Sequence, residues 1–445
     1  MKNKKKEIEL RNNELFYNGF SLTNLAKKYG TPLRVSFLGV IKDHVTELKE
    51  AYAKAIKKNN YDGKFIYVNA NKANYEYLEV QTAYDAGDGI ETSSYYDLLL
   101  SKEISKKELP IICNGIKGDD YLDEIVDLSL NGYYIIDILD SYDEYLKLKA
   151  KAIAQKVLVE VGCRIHIPSL YQEEGSPVTD DRFGMMEDEF DKIIKDIKET
   201  KALKLTTIHF HQRGFEFEKD KFVENLEKVL ICYDKAASML DTVCNFDMGG
   251  GTPLPTDYTV NYEEFADLVI RELMKLTDKY HVKHPNLISE NGKYSQKDST
   301  VNIYEVVSVK NTCEYPWYVL DGSLLIAMPE MYALGEEIVV EPINNLDHET
   351  IKGRLSSITC DCDDILYDKE KGYFDLPKFD ITKEKQYVAI LGTGSYQNSM
   401  AGKRGWHHCL LPEEIDVVVD VFGKEKIRHN LQSFEEVKEL INFKK

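Results

Sequence analysis

Phe65-Ile66-Tyr67-Val68-Asn69-Ala70-Asn71-Lys72-Ala73-Asn74 begins as an apolar run and ends in small and amide residues around a single lysine. Two aromatic and two β-branched residues in succession read as a buried strand. The lysine then falls where that strand emerges. Stripped of water on one side, a lysine loses some preference for the ammonium form, and its amine can form a Schiff base with an aldehyde. Taken alone, such a lysine is more often a solvated loop residue. What decides between the two is the company it keeps at the other strand ends.

Working outward, strand-like runs near 65–68, 89–90, 110–113, 133–136, 157–161, 206–210, 244–248 and 287–289 alternate with segments of helical spacing. One such segment aligns Phe190, Ile193, Ile194 and Ile197; another aligns Phe265, Val269, Leu273 and Leu276. Eight strands alternating with helices predict an α/β fold, a (β/α)8 barrel of the TIM type, placed here over residues 37–300. After residue 300, Val- and Tyr-rich strands with turns predict a C-terminal antiparallel β domain over 301–445, completed by residues 1–36. Within the latter, residues 22–33 read as a short helix stopped at Gly30 and followed by a strand. A longer helix follows, with Val45, Leu48 and Tyr52 on one face.

A chain of 445 residues with 43% hydrophobic and 30% charged residues has the composition of a globular protein. Its net charge of -19 argues against nucleic acid or an anionic membrane surface as a partner, and favours encounter with a small cation. The first six residues are basic but lead into no apolar signal core, and no run is long enough to span a bilayer. Eight cysteines without CxxC spacing indicate neither a disulfide framework nor a metal site. The expected location is the cytoplasm.

In a barrel of this type chemistry sits at the carboxyl ends of the strands. The second strand leads into Gly87-Asp88-Gly89-Ile90-Glu91-Thr92, and the third ends at Cys113-Asn114-Gly115. The fifth ends at Gly162-Cys163-Arg164, the sixth at His209-Phe210-His211, the seventh at Asp247-Met248-Gly249-Gly250-Gly251 and the eighth at Glu290-Asn291-Gly292-Lys293. In this order, the set resembles the fold-type III pyridoxal-phosphate decarboxylases, the ornithine, diaminopimelate and arginine decarboxylase family. Lys72 falls on that family's YAxKAN-type segment, whose lysine carries the cofactor, and residues 22–33 resemble the "LA..YGTPL" opening of diaminopimelate decarboxylases.

The resemblance implies pyridoxal 5'-phosphate as cofactor and assigns a role to each residue. Glu290 pairs with the pyridine nitrogen, which keeps the ring electron-withdrawing. His211 stacks on the ring face. Gly249, Gly250 and Gly251 bring backbone N–H groups close to the phosphate. Glu91 stands where the family carries an acid near the lysine; the alternative is a solvated loop carboxylate. Tyr396, in Gly392-Thr393-Gly394-Ser395-Tyr396, resembles the tyrosine of the "GAY" segment that binds the phosphate. Thr359-Cys360-Asp361-Cys362-Asp363-Asp364 resembles the "TCDS.D" segment, whose first cysteine enters the other subunit's site and protonates the substrate carbon. Cys360 therefore implies a homodimer with shared active sites.

Two positions depart from the family. Its "H.GS" is His211-Gln212-Arg213-Gly214 here, and the arginine of its "E.GR" is Lys293, which keeps the charge but loses the bidentate fork. Arg213 is expected to replace part of the lost phosphate grip. Glu330, Asp361, Asp363 and Asp364 form an acidic group where the family reads the far end of its substrate, which suits a cationic side chain and repels a second carboxylate. Local spelling leans toward biosynthetic arginine decarboxylase, as in Ile112-Cys113-Asn114-Gly115 and the stretch from Ser323 through Met328-Pro329-Glu330. The expected reaction is arginine to agmatine, in polyamine biosynthesis. Ornithine, lysine or diaminopimelate as substrate, or a non-catalytic binding homologue, remain the alternatives.

Overall fold

The computed structural model describes residues 7–167, 182–212, 219–254, 260–311, 314–336, 338–402, 404 and 408–443. They divide into two compact units, His44–Tyr294 and Met1–Asp43 with Ser295–Lys445.

The first unit is a closed barrel of eight parallel strands. In chain order these are β1 (Phe65–Ala70), β2 (Gly89–Thr92), β3 (Ile111–Cys113), β4 (Ile135–Leu139), β5 (Val159–Arg164), β6 (Leu203–His209), β7 (Asn245–Asp247) and β8 (Asn286–Asn291). Closure comes from β8 pairing with β1, in register from Leu287 opposite Phe65 to Asn291 opposite Asn69. Val68, Ile112, Ile136, Ile138 and Ile288 fill the interior, and the wall of Leu, Ile and aromatic residues outside it meets the helices. The helix Glu187–Glu199 shows why the spacing was readable: Phe190, Ile193, Ile194 and Ile197 are its buried residues. Serine and asparagine caps fix where several helices start. Ser94 accepts from the Asp97 N–H, Ser141 from Glu144 and Asn261 from Glu263 and Glu264.

All eight expected strands are present, with shifted ends. The sixth starts at Leu203, three residues before the expected 206, because Lys204 interrupts the apolar pattern there. Its ammonium is met on the neighbouring strand by Glu160, 2.7 Å away. A bulge between Leu205 and Thr207 further disturbs the alternation.

In the second unit a ten-stranded sheet centres on Thr300–Lys310, which pairs antiparallel with Leu33–Phe37, Trp317–Leu320 and Tyr387–Leu391. Most pairs are antiparallel, but Leu33–Phe37 runs parallel to Ile415–Val419, and Trp317–Leu320 to Thr350–Ser356. The helix Leu22–Tyr29 ends at Gly30 (φ 87), as expected from the sequence. No helix among the described residues is long and apolar enough to cross a membrane.

Candidate active site

Beyond Ala70 the chain leaves β1 in one 3-10 turn, Asn71–Ala73, which presents Lys72. Buried amides hold that turn. Asn69 donates to Asn71 (2.9 Å), and Asn71 donates to Asp97 and to Ser101 on the helix Tyr95–Ile104, both at 2.9 Å. The lysine backbone is thereby fixed while its side chain stays 43% exposed, with Nζ 3.0 Å from Glu91 Oε1. Glu91 on β2 is fully buried, and its Oε2 has no hydrogen-bond partner. A solvated loop carboxylate it is not.

From Glu91 the polar contacts continue across the barrel mouth. Asn114 Nδ2 donates to Glu91 Oε1 at 3.0 Å and faces both oxygens of Glu290 at 2.8 and 2.9 Å. Beyond Glu290 lie His209, with Nδ1 at 3.8 Å from Glu290 Oε1 and 3.3 Å from Asp247 Oδ2, and then Asp247 itself. All of these side chains are buried. Burial, reinforced by the adjacent Asp247 carboxyl, pushes Glu290 up to about 8. Burial raises Asp247 to about 7 and lowers His209 to about 4. Burial thus favours a neutral imidazole and the protonated form of both acids, and an arriving cation would draw the carboxylate form.

The glycine run is required by close approach. A Cβ on Gly249 (φ 64) would lie 2.8 Å from both His211 Nδ1 and Phe210 O; one on Gly250 would lie 2.9 Å from Glu290 O. Two of its N–H groups meet acceptors within the protein. Gly249 donates to Asp247 Oδ1 (2.8 Å) and Gly250 to His211 Nδ1 (3.2 Å). Gly251 (φ 98) keeps an uncommitted N–H among the described residues. Lys293 opens the short helix Lys293–Gln296 just past β8, and Arg213 lies outside the described residues.

The barrel thus gathers Lys72, Glu91, His211, Gly249, Gly250 and Glu290 around its strand ends. Tyr396, Cys360, Glu330, Asp361, Asp363 and Asp364 belong to the other unit. There Tyr396 is half-buried with φ 53, and Glu330 is buried in the first turn of Pro329–Leu334. Cys360 is exposed, its sulfur 3.6 Å from that of Cys409. Asp361 pairs with His408 at 2.9 Å, and Asp363 is exposed. The assignment of Asp364 to substrate is corrected. Its buried carboxylate accepts from Ser323 Oγ, Thr359 Oγ1 and the Leu324 and Leu325 N–H groups, so it is committed to capping Leu324–Ala327.

Asn114, His209 and Asp247 stand at strand ends in the sequence, which alone assigns them no role. A signal was present: His209 and Asp247 are the last residues of β6 and β7 and sit opposite each other in register. A polar residue that closes a barrel strand at its carboxyl end stands at the mouth.

A cofactor with an aldehyde and a protonatable ring nitrogen fits these groups. A half-exposed amine beside a buried carboxylate suits the first, and the buried Glu290 suits the second. Glu91 Oε2 is left over for a group yet to arrive.

Comparison with known proteins agrees. Residues 42–296 match the family model described as pyridoxal-dependent decarboxylase, pyridoxal binding domain. The biosynthetic arginine decarboxylase of Citrifermentans bemidjiense is 23% identical over 347 residues, 74% of this chain and 54% of that protein. The chain thus spans about half the length of this relative. The diaminopimelate decarboxylase of Aquifex aeolicus is 24% identical over 432 residues, 95% of this chain and 94% of that one. The crystal structure of the biosynthetic arginine decarboxylase from Campylobacter jejuni shares the fold, with a TM-score of 0.85 over 99% of this chain and 89% of its own, at 17% identity. Because the family match runs through the whole strand-end set from Lys72 to Lys293, the chain belongs to the pyridoxal-dependent decarboxylases.

Proposed function

We propose that the protein is a pyridoxal-phosphate-dependent amino-acid decarboxylase acting on a basic amino acid, with arginine, giving agmatine, as the leading substrate. The observation that carries this is the unbroken polar connection from Lys72 through Glu91 and Asn114 to Glu290. When bound, pyridoxal phosphate supplies an aldehyde for amine capture and a ring that accepts the electron pair left as CO2 departs.

The chain's own residues do the rest. Lys72 holds the cofactor and yields its place to the substrate amine. Glu290 keeps a proton on the ring nitrogen, and its burial strengthens that pairing. His211, braced by the Gly250 N–H, covers one ring face and excludes water. Phosphate binding is assigned to the Gly251 N–H, Lys293, Tyr396 and Arg213. Cys360, entering from a second copy, returns a proton to the substrate carbon, which makes the working unit a homodimer. Glu330, Asp361 and Asp363 are assigned to the cationic end of the substrate. Decarboxylation of diaminopimelate is the second reading, favoured by the matched length of the Aquifex aeolicus relative.

The test is mass spectrometry of protein supplied with pyridoxal phosphate and, in separate reactions, arginine, ornithine, lysine or diaminopimelate in each stereochemical form. Agmatine is the expected product. Loss of CO2 from diaminopimelate alone would move the reading to the second. No CO2 from any of them would leave a binding homologue.

A further inference from the structure

Asn114 has a carboxamide with two hydrogens and stands between two buried acids from opposite sides of β1. Its Nδ2 meets Glu91 Oε1 at 3.0 Å, and Glu290 Oε1 and Oε2 at 2.8 and 2.9 Å. Glu91 in turn receives the Lys72 ammonium at 3.0 Å. Without this donor both oxygens of buried Glu290 would lose their amide partner, at about 1–3 kcal/mol each, while Glu91 would keep only Lys72.

The loop carrying the amide is clamped. The Asn114 N–H donates to Thr92 O at 2.8 Å, and Gly115 (φ 81) passes so close to β2 that a Cβ would lie 3.0 Å from Ser93 O. Fully buried Lys117 ties down the far side, donating to Gly115 O and Ile138 O, both at 2.9 Å, and pairing with Asp137 and Glu144. A buried ammonium with two buried carboxylates is a costly way to hold a loop, and this loop delivers one amide to one place.

We propose that Asn114 is a positioning residue that binds Glu91 and Glu290 into one unit, so that the amine end and the ring-nitrogen end of the bound cofactor are set together. The proposal rests on the cofactor reading above and deepens it. Among the described residues, the charged and titratable groups acting on Glu290 include Asp247, His209, Glu91 and Lys72, and Asn114 is a neutral member that bridges Glu290 to Glu91. Its removal frees Glu290 to turn toward Asp247 and His209 and leaves the ring nitrogen without a fixed acid.

Two readouts test this without relying on turnover. One is the 15N resonance of pyridoxal phosphate labelled at the ring nitrogen and bound to the protein. The other is the dissociation constant of pyridoxamine phosphate, which has the ring and phosphate but no aldehyde, and so binds without a bond to Lys72. Asn114→Ala is expected to move the resonance toward that of neutral pyridine and to weaken pyridoxamine phosphate about tenfold, or about 1.4 kcal/mol. Asn114→Asp fills the same volume without the donor and is expected to do at least as much; it also carries the test if Asn114→Ala fails to fold. If both variants leave the resonance in place and the affinity within about twofold, the proposal is overturned. An effect of Asn114→Ala that Asn114→Asp does not share would mean a cavity, and would overturn it too. Wild-type protein that takes up no labelled cofactor would instead sink the functional reading, and this assignment with it.

Discussion

Replacing Glu290 by glutamine is expected to stabilise the cofactor-free protein while weakening its hold on the cofactor. Glu290 is raised from 4.5 to about 8 in the folded chain, mainly by burial and then by Asp247. An acid with a raised folded pKa binds its proton more tightly when folded. Between the unfolded and folded values the native state carries more protons, so stability falls as pH rises. The burden is small below pH 4.5, grows through the window from 4.5 to about 8, and is complete above it. At about 1.4 kcal/mol for each unit, moving from pH 6 to pH 9 crosses roughly two units of that window, on the order of 2–3 kcal/mol at most. Asp247 shares the same protons, which leaves about 2 kcal/mol for Glu290 itself. Glutamine keeps the shape and the contact with Asn114 but has no charge to bury.

The assay is urea unfolding of cofactor-free wild type and Glu290→Gln, followed by circular dichroism at pH 6 and pH 9. The variant's stability relative to wild type should improve by about 2 kcal/mol between the two conditions. Its dissociation constant for pyridoxamine phosphate should rise at least tenfold, because a cationic ring nitrogen loses its buried counter-ion. A stability difference that stays flat between pH 6 and pH 9 would refute the reasoning. It would mean that Glu290 is ionised throughout, held by donors other than Asn114, and that the site is not waiting for a cation.

Three further outcomes are expected. Borohydride reduction with pyridoxal phosphate present should fix the cofactor on the peptide containing Lys72, and Lys72→Ala should abolish this; labelling elsewhere would remove Lys72 from its role. Gly250→Ala places a Cβ 2.9 Å from Glu290 O, so overpacking of about 1–3 kcal/mol should loosen β8 against the glycine run and weaken the cofactor about tenfold or more, read by its fluorescence on binding. Lys72→Ala and Cys360→Ala should each be inactive, yet mixing them should restore up to about a quarter of the activity if two chains share each site. Mixtures that stay inactive, while the parent proteins still dimerise, would place both residues in one chain's site.

The barrel was legible because its helices carry apolar residues at regular spacing and its strands are short apolar runs, and both patterns survive in sequence. Strand ends were less so: Lys204 looks like a break until Glu160 is seen opposite it. Lys72 and Glu290 were legible as strand-end charges, and Glu91 only as an acid of undecided setting. Burial of Glu91 depends on β1, β2 and β3 closing around it, which no local pattern encodes. Asp364 misled for the complementary reason. An aspartate in an acidic run looks like a cation receptor, but its four donors come from positions 323, 324, 325 and 359, and only the fold spends it on a helix cap.

Asn114 carries the same lesson further. An amide has no charge to attract notice, and in sequence it is one residue of a turn. Its weight comes from standing between acids 23 and 176 positions away. The residue that connects a site is therefore harder to read than the residues it connects. A neutral side chain at a strand end becomes informative when the turn behind it is held by buried charge, as Lys117, Asp137 and Glu144 hold this one. Around the turn that carries Asn114 the chain buries an ammonium and two carboxyl groups, far more costly to desolvate than one amide. That expense is intelligible if the separation of Glu91 from Glu290 must be fixed before any ligand arrives, since a site that relaxes on binding gives up part of the binding energy in doing so.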